Sequence, residues 1–254
     1  MRDDRLIKKD NDQMAAGNDA IPTESELASY LAAMQSEELE FLTPLSIEAM
    51  AAKKAGLPVR KTGMGKSKAA SFAKAYSKTV SKNTNLVVIG IAGACSSRLR
   101  PGDVVVANKI FKIKENGHID DSIENQLTIP KSNVFYCLLQ NFYLKEKQQM
   151  PAPYRLHNSP IGCSEIIIAG EARKNADSDQ IYAVEMESFW LADILMSHVK
   201  TLQVVRIILD TPSNEIFSFS TLTNFRTAFR QMKNMAQLIK SIKNSHQIPG
   251  IFSA

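Results

Sequence analysis

The apolar positions of the chain fall into two kinds of pattern. Near-continuous runs of strand length occur at Asn85-Leu-Val-Val-Ile-Gly-Ile-Ala-Gly93, at Val104-Val-Val-Ala107 after the turn Leu99-Arg-Pro-Gly-Asp103, and at Leu202 to Leu209 with Arg206 inside it. Such runs suit parallel strands buried on both faces. Leu39 to Thr43 alternates weakly and predicts a first strand stopped by Pro44, and Tyr154 to Ile168 supplies one or two more. Helical spacing predicts a helix from a Thr23 cap through Met34. A second runs from Ile47 to Ala55, capped by Ser46 and ended by Gly56. Others are expected from Gly65 to about Lys82, over Ser132 to Lys145, from Tyr182 to Leu195, and from Thr221 to His246. Lys112 to Ile129 is polar and reads as loop. Strands alternating with helices predict a single three-layer α/β/α domain over 21–254, with a central mixed, largely parallel sheet. A flexible tail over 1–20 precedes it.

Composition narrows the class. The 254 residues are 44% apolar, enough for a sizeable core, and no apolar run is long enough to span a membrane. Three unpatterned cysteines and a charged start without an apolar leader fit a protein of the reducing cytosol. The net charge of +5 is matched by one segment. Thr221 to His246 carries Arg226, Arg230, Lys233, Lys240 and Lys243 without an acid, and an apolar stripe recurs through it. This is the pattern of a terminal helix packed on the sheet, and also of one making weak contact with an anionic membrane surface. No nucleic-acid recognition motif accompanies the charge, so no nucleic-acid partner is expected.

Candidate chemistry gathers at strand ends. Gly63-Met-Gly65-Lys66-Ser67 tempts towards a nucleotide P-loop, but that motif needs a glycine where Arg60 stands. What remains is a glycine turn at a helix N-terminus, suited to packing or to a polar ligand. Open α/β sheets bind ligands beyond the carboxyl ends of their strands, where Asp210 is expected. Glu185 and Glu187 open the helix that precedes that strand, and the positive helix end favours carboxylates there. A strand-end Asp facing a helix-start Glu is a plausible catalytic pair.

Gly90-Ile-Ala-Gly93, Leu99-Arg-Pro-Gly-Asp-Val-Val-Val106, Val184-Glu-Met-Glu187 and Val205-Arg-Ile-Ile-Leu-Asp210, in this order, resemble the nucleoside phosphorylase/nucleosidase superfamily. The resemblance covers about residues 39 to 245. It is nearest the branch of the 5′-methylthioadenosine/S-adenosylhomocysteine nucleosidases and the hopanoid-associated phosphorylase-like proteins. It implies a purine nucleoside N-ribosyl hydrolase. Asp210 would donate a proton to purine N7, kept partly protonated by apolar neighbours such as Ile208 and Leu209. Glu187 would grip the ribose hydroxyls over Met186, and Glu48 would activate the attacking water. Arg206 would orient Glu187 or reach the nucleophile, while Ile91, Ala92, Gly93 and Ile166 would line the substrate. The phosphate-holding arginine and hydroxyl of the hexameric phosphorylases are replaced by Val88 and Ile91, which favours water over phosphate. Ile91, Ile166 and Leu209 make the pocket more apolar than usual for the nucleosidases. The resemblance implies an adenosyl substrate with an apolar 5′ group, no metal or organic cofactor, and a homodimer. A phosphate-dependent phosphorylase and a non-catalytic nucleoside-binding protein are the alternatives.

Overall fold

The computed structural model describes residues 21–146, 154–213 and 221–245. The expected tail over 1–20 lies outside them. Strands β1 (Glu38–Thr43), β2 (Val59–Lys61), β3 (Thr84–Ala94), β4 (Val104–Lys112), β5 (Gln126–Thr128), β6 (Leu156–Cys163), β7 (Ala183–Glu185) and β8 (Thr201–Asp210) form one mixed sheet. Helices α1 (Glu24–Ser36), α2 (Ser46–Lys53), α3 (Lys66–Tyr76), α4 (Ser132–Glu146), α5 (Glu171–Ser178), α6 (Ser188–Leu195) and α7 (Thr221–Asn244) cover it.

The α/β class and the mixed sheet are as expected, but the sheet is not open throughout. β3 pairs with β8, β8 with β4, β4 with β6, β6 with β7, and β7 returns to β3. Five strands therefore close on themselves, and β2–β1 and β5 extend from this ring.

Side chains alternate across a strand, so β3 and β8 feed two cores. Val87, Ile89, Val205 and Ile207 pack with α1, α2, α4 and α7. Leu86, Val88, Val204 and Ile208 pack with α3 and α6. Each fully buried Ile or Phe contributes about 1.5–3 kcal/mol. The same alternation puts Arg206 on the α3/α6 side, in phase with Val204 and Ile208.

Several boundaries differ from the sequence reading. The helix α2 begins at Ser46 with Leu45 as its N-cap, because the Glu48 side chain accepts the Leu45 N–H at 2.7 Å. The helix α3 stops at Tyr76 rather than near Lys82. Hydroxyls of Ser77 and Thr79 bind the carbonyls of Lys74 and Tyr76, the local competition that weakens helices at Ser and Thr. Part of the polar stretch after Lys112 is not loop but the short strand β5, paired antiparallel with β4. Tyr182 to Leu195 is not one helix. It is the strand β7, a bend at Met186 and Glu187, then α6. The apolar stripe of α7 (Met232, Met235, Leu238, Ile239, Ile242) is buried in the first core. Lys243 at its end donates to the carbonyls of Met34 and Glu37. Among the described residues no helix is long and apolar enough to cross a membrane.

The start of β4 is tied to the end of β8. Gly102 N–H donates to Ile208 C=O, and Ile208 N–H to Asp103 C=O. Burial pushes the Asp103 carboxyl pKa up. Hydrogen bonds from His157, Arg155 and the Arg100 N–H more than offset this and hold it below its usual value. Its stabilising contribution is thus present at neutral pH and lost as pH falls through that lowered value. Asp103→Asn is expected to cost about 1–3 kcal/mol at pH 7. The deficit should shrink at pH values below about 4, the usual carboxylate range, as read by circular-dichroism melts.

Candidate active site

Two stations lie along the β3–β8 pair. The first is at Gly90, which is opposite Arg206 in register. A Cβ there would lie 2.3 Å from Arg206 Nη1 and 3.1 Å from Glu48 Oε1, so only glycine leaves room for both groups. Arg206 is fully buried, and its Nη2 donates to Glu185 Oε2 and to Ser188 Oγ, each at 2.6 Å. Its Nε and Nη1 have no hydrogen-bond partner among the described residues. Burial lowers the Arg206 pKa, but Glu185, Glu187 and Glu48 together raise it further.

Glu48 is 3% exposed. Its Oε1 accepts the Ile91 N–H at 2.9 Å while Oε2 holds the helix start at Leu45. Burial pushes its pKa up, against the pull of the Ile91 N–H and Arg206. Glu187 is 5% exposed and accepts the Gly65 N–H at 2.8 Å. Gly65 has φ +82°, a conformation that favours glycine, and it is the N-cap of α3. The polar group at that glycine turn is therefore a carboxylate of this chain. Burial first, then the neighbouring Glu185, lifts the Glu187 pKa to about 7.

Glu185, absent from the predicted site, is the partner of Arg206. It also accepts the N–H groups of Glu187 and Ser188 and so caps α6. Of the two expectations for Arg206, it does not hydrogen-bond Glu187, Glu185 taking that place before the bend at Met186, and it lies beside Glu48 at Gly90. The two glutamates are separated only by Met186 in the chain, so which of them meets Arg206 depends on the bend.

The second station is at Gly93, opposite Asp210 beyond a register shift. Asp210 is 1% exposed, and its surroundings are not the expected apolar ones. Arg173, on the first turn of α5, forms a two-pronged pair with it: Nη1 to Oδ1 at 3.1 Å and Nη2 to Oδ2 at 3.0 Å. Arg173 also donates from Nε to Ile168 C=O at 2.8 Å and from Nη1 to Ala94 C=O at 3.4 Å. The apolar pattern marks no helix over α5, so this arginine escapes a reading from sequence.

Of the other candidates, Ala92 is buried, Ile91 and Met186 are half-buried, and Ile166 is 42% exposed on the loop after β6. Cavities of about 310 and 650 Å³ flank Glu165, which pairs with Lys66 at 2.6 Å, and neither is lined by Glu48, Glu187 or Asp210. Among the described residues no cluster of His, Cys, Asp or Glu is arranged to hold a metal ion.

The phosphorylase superfamily model matches residues 26–242. The chain belongs to the phosphorylase superfamily. Solved structures of the same fold include a 5′-methylthioadenosine/S-adenosyl homocysteine nucleosidase from Campylobacter jejuni. It is 16% identical with TM-score 0.63, over 82% of this chain and 100% of that one. Two others come from Helicobacter pylori. One is a point mutant of the nucleosidase MTAN with 5′-methylthioadenosine in its active site (16%, TM-score 0.62, covering 82% and 98%). The other is a futalosine hydrolase (15%, TM-score 0.62, covering 82% and 97%). No curated protein matches the sequence. Val205 to Asp210 contributes to both stations, and Val184-Glu-Met-Glu187 to the first.

A carboxyl raised from 4.5 to about 7 on folding favours the fold below pH 4.5, and that contribution is lost as pH rises to 7. Glu187→Gln should therefore stabilise the protein at pH 8, by an amount on the order of 1–3 kcal/mol, with little difference at about pH 5. Thermal melts at the two pH values check this.

Proposed function

We propose that this chain is an N-ribosyl hydrolase that cleaves the N-glycosidic bond of a nucleoside with water. The observation that carries the reading is the meeting of Glu48 and Glu187, from distant segments, around Arg206 at Gly90. Glu48, its two oxygens fixed by backbone N–H groups, is the base that takes a proton from water. Glu187 grips the ribose hydroxyls, with Met186 beneath the sugar. As the bond breaks, positive charge grows on the ribose. The carboxyls of Glu48, Glu185 and Glu187 around one guanidinium favour that charge as they ionise. A phosphate dianion beside these carboxyls is disfavoured, and this supports water over the phosphorylase alternative. The similar structures carry nucleosidase and hydrolase names, in line with the reading. The adenosyl-type base expected from the sequence belongs to this reading, with Asp210, held by Arg173, as the carboxyl at the second station. The homodimer implied by the resemblance belongs to this reading, and sedimentation checks it.

Free base should be released from nucleosides in phosphate-free buffer, at a rate unchanged by added phosphate. Glu48→Gln should lower kcat by about 10²–10⁴-fold with little change in KM. The wild-type rate should rise with pH until Glu48 is ionised, above the usual carboxylate range. Cleavage that appears only with phosphate overturns the hydrolase in favour of the phosphorylase.

A further inference from the structure

We propose that the outer ridge of α7, with the adjoining end of α2, is a docking surface for an anionic phospholipid bilayer. The buried stripe of α7 fixes which way the rest of the helix points. Arg226, Arg230, Lys233, Gln237 and Lys240 recur at alternating spacings of four and three. On a helix that pattern keeps them within about 40° of one line. Met232, Met235, Leu238, Ile239 and Ile242 fall on the other side and are buried. The cations therefore crown the helix, turned away from the core. Arg226 and Arg230 are exposed, and Lys233 and Lys240 are half-buried. At helical rise the ridge is about 21 Å long.

Uncompensated charge sets this ridge apart from an ordinary solvated helix face. Elsewhere, Lys66, Lys174 and Lys200 pair with Glu165, Glu171 and Glu37. Among the described residues none of the four ridge cations has an ion-pair partner. No acid occurs from Thr221 to His246. The end of α2 continues the patch. Lys54 Nζ sits 5.6 Å from the Phe229 ring centroid, and Lys240 Nζ is 3.1 Å from the point a Gly56 Cβ would occupy. Ala49 to Gly56 likewise holds no acid.

Two features choose a bilayer over other polyanions. Cations in a straight line on a protruding helix meet a flat layer of phosphates together, whereas single nucleic-acid strands are held in basic grooves. The second feature is apolar. Met50 is 59% exposed and Ile47 37% exposed on α2, one and two turns before Lys54. Nucleic-acid bases stack on aromatic side chains, and these two are not aromatic. The acyl boundary behind a headgroup layer takes such side chains while the flanking lysines stay with the phosphates. Each lysine or arginine near an anionic leaflet raises partitioning about fivefold. Because α2 also carries Glu48 on its buried side, docking leaves the first station one helix away from the headgroups.

The experiment is sedimentation of the full chain with vesicles of phosphatidylcholine alone, and with roughly 30% phosphatidylserine added. Binding to the mixed vesicles only is expected at low salt, with release at about 0.5 M salt as screening shortens. Arg226→Gln/Arg230→Gln/Lys233→Gln should weaken partitioning about 100-fold. Met50→Gln, at unchanged charge, should weaken it roughly fivefold. Thermal melts confirm that each variant is folded, and their base release from a soluble nucleoside should equal that of wild type. Docking and hydrolysis are thus read separately, and failure of one leaves the other standing. Equal binding to neutral vesicles, none to anionic ones, or indifference to the triple variant overturns the proposal. Duplex RNA bound as tightly as the anionic vesicles, sensitive to the triple variant but not to Met50→Gln, gives the ridge to nucleic acid and overturns it too. So does a dimer that Met50→Gln splits, which gives that face to a second copy of the chain.

Discussion

A buried guanidinium sets the terms for the rest of the molecule. Placing an isolated cation in a protein interior costs several kcal/mol, and Arg206 is fully enclosed. Its cost is offset by the short bonds to Glu185 and Ser188 and by the fields of Glu48 and Glu187. Each of these partners is delivered by a different device: a helix start, a strand-to-helix bend, a neighbouring strand that ends in glycines. The fold cannot assemble around Arg206 without assembling the first station as well. Glu185 has two duties in this arrangement, since one carboxylate both caps α6 and neutralises the arginine.

The two stations are three residues apart along β3, about 10 Å at strand spacing. They differ in electrical character. At Gly90 carboxylates outnumber the cation, and two of those carboxyls are pushed towards neutrality by burial. At Gly93 one guanidinium and one carboxylate balance. The first station therefore changes its charge with pH, while the second is a closed ion pair.

Much of the fold was legible because its signals are local. The apolar runs at Asn85 and Leu202 have one interpretation at that length, and Thr23 with Glu26 forms the capping box its spacing suggests. Asp210 and Glu48 could be placed at element ends for the same reason. The failures are of another kind. Glu185 and Glu187 are two residues apart, and a continuous helix or a bend at Met186 would aim them differently, so the sequence leaves the choice open. Arg173 belongs to a short polar helix with little apolar periodicity, and its partner is contributed by a different strand. The return of β7 to β3 rests on two residue pairs, too few to leave a pattern in the chain.

That return also bears on how the protein behaves in crowded solution. With the long strands β3, β4, β6 and β8 each bonded on both sides, the outer margins of the sheet are β2 and β5, three residues apiece. Exposed backbone margins invite other chains to add on, and brevity and charge discourage it. One margin ends in Arg60 and Lys61, both exposed, and the other exposes Gln126 and Thr128. A passing extended peptide finds little to zip against at either side, which makes this architecture a poor seed for fibrils in spite of its very apolar interior strands.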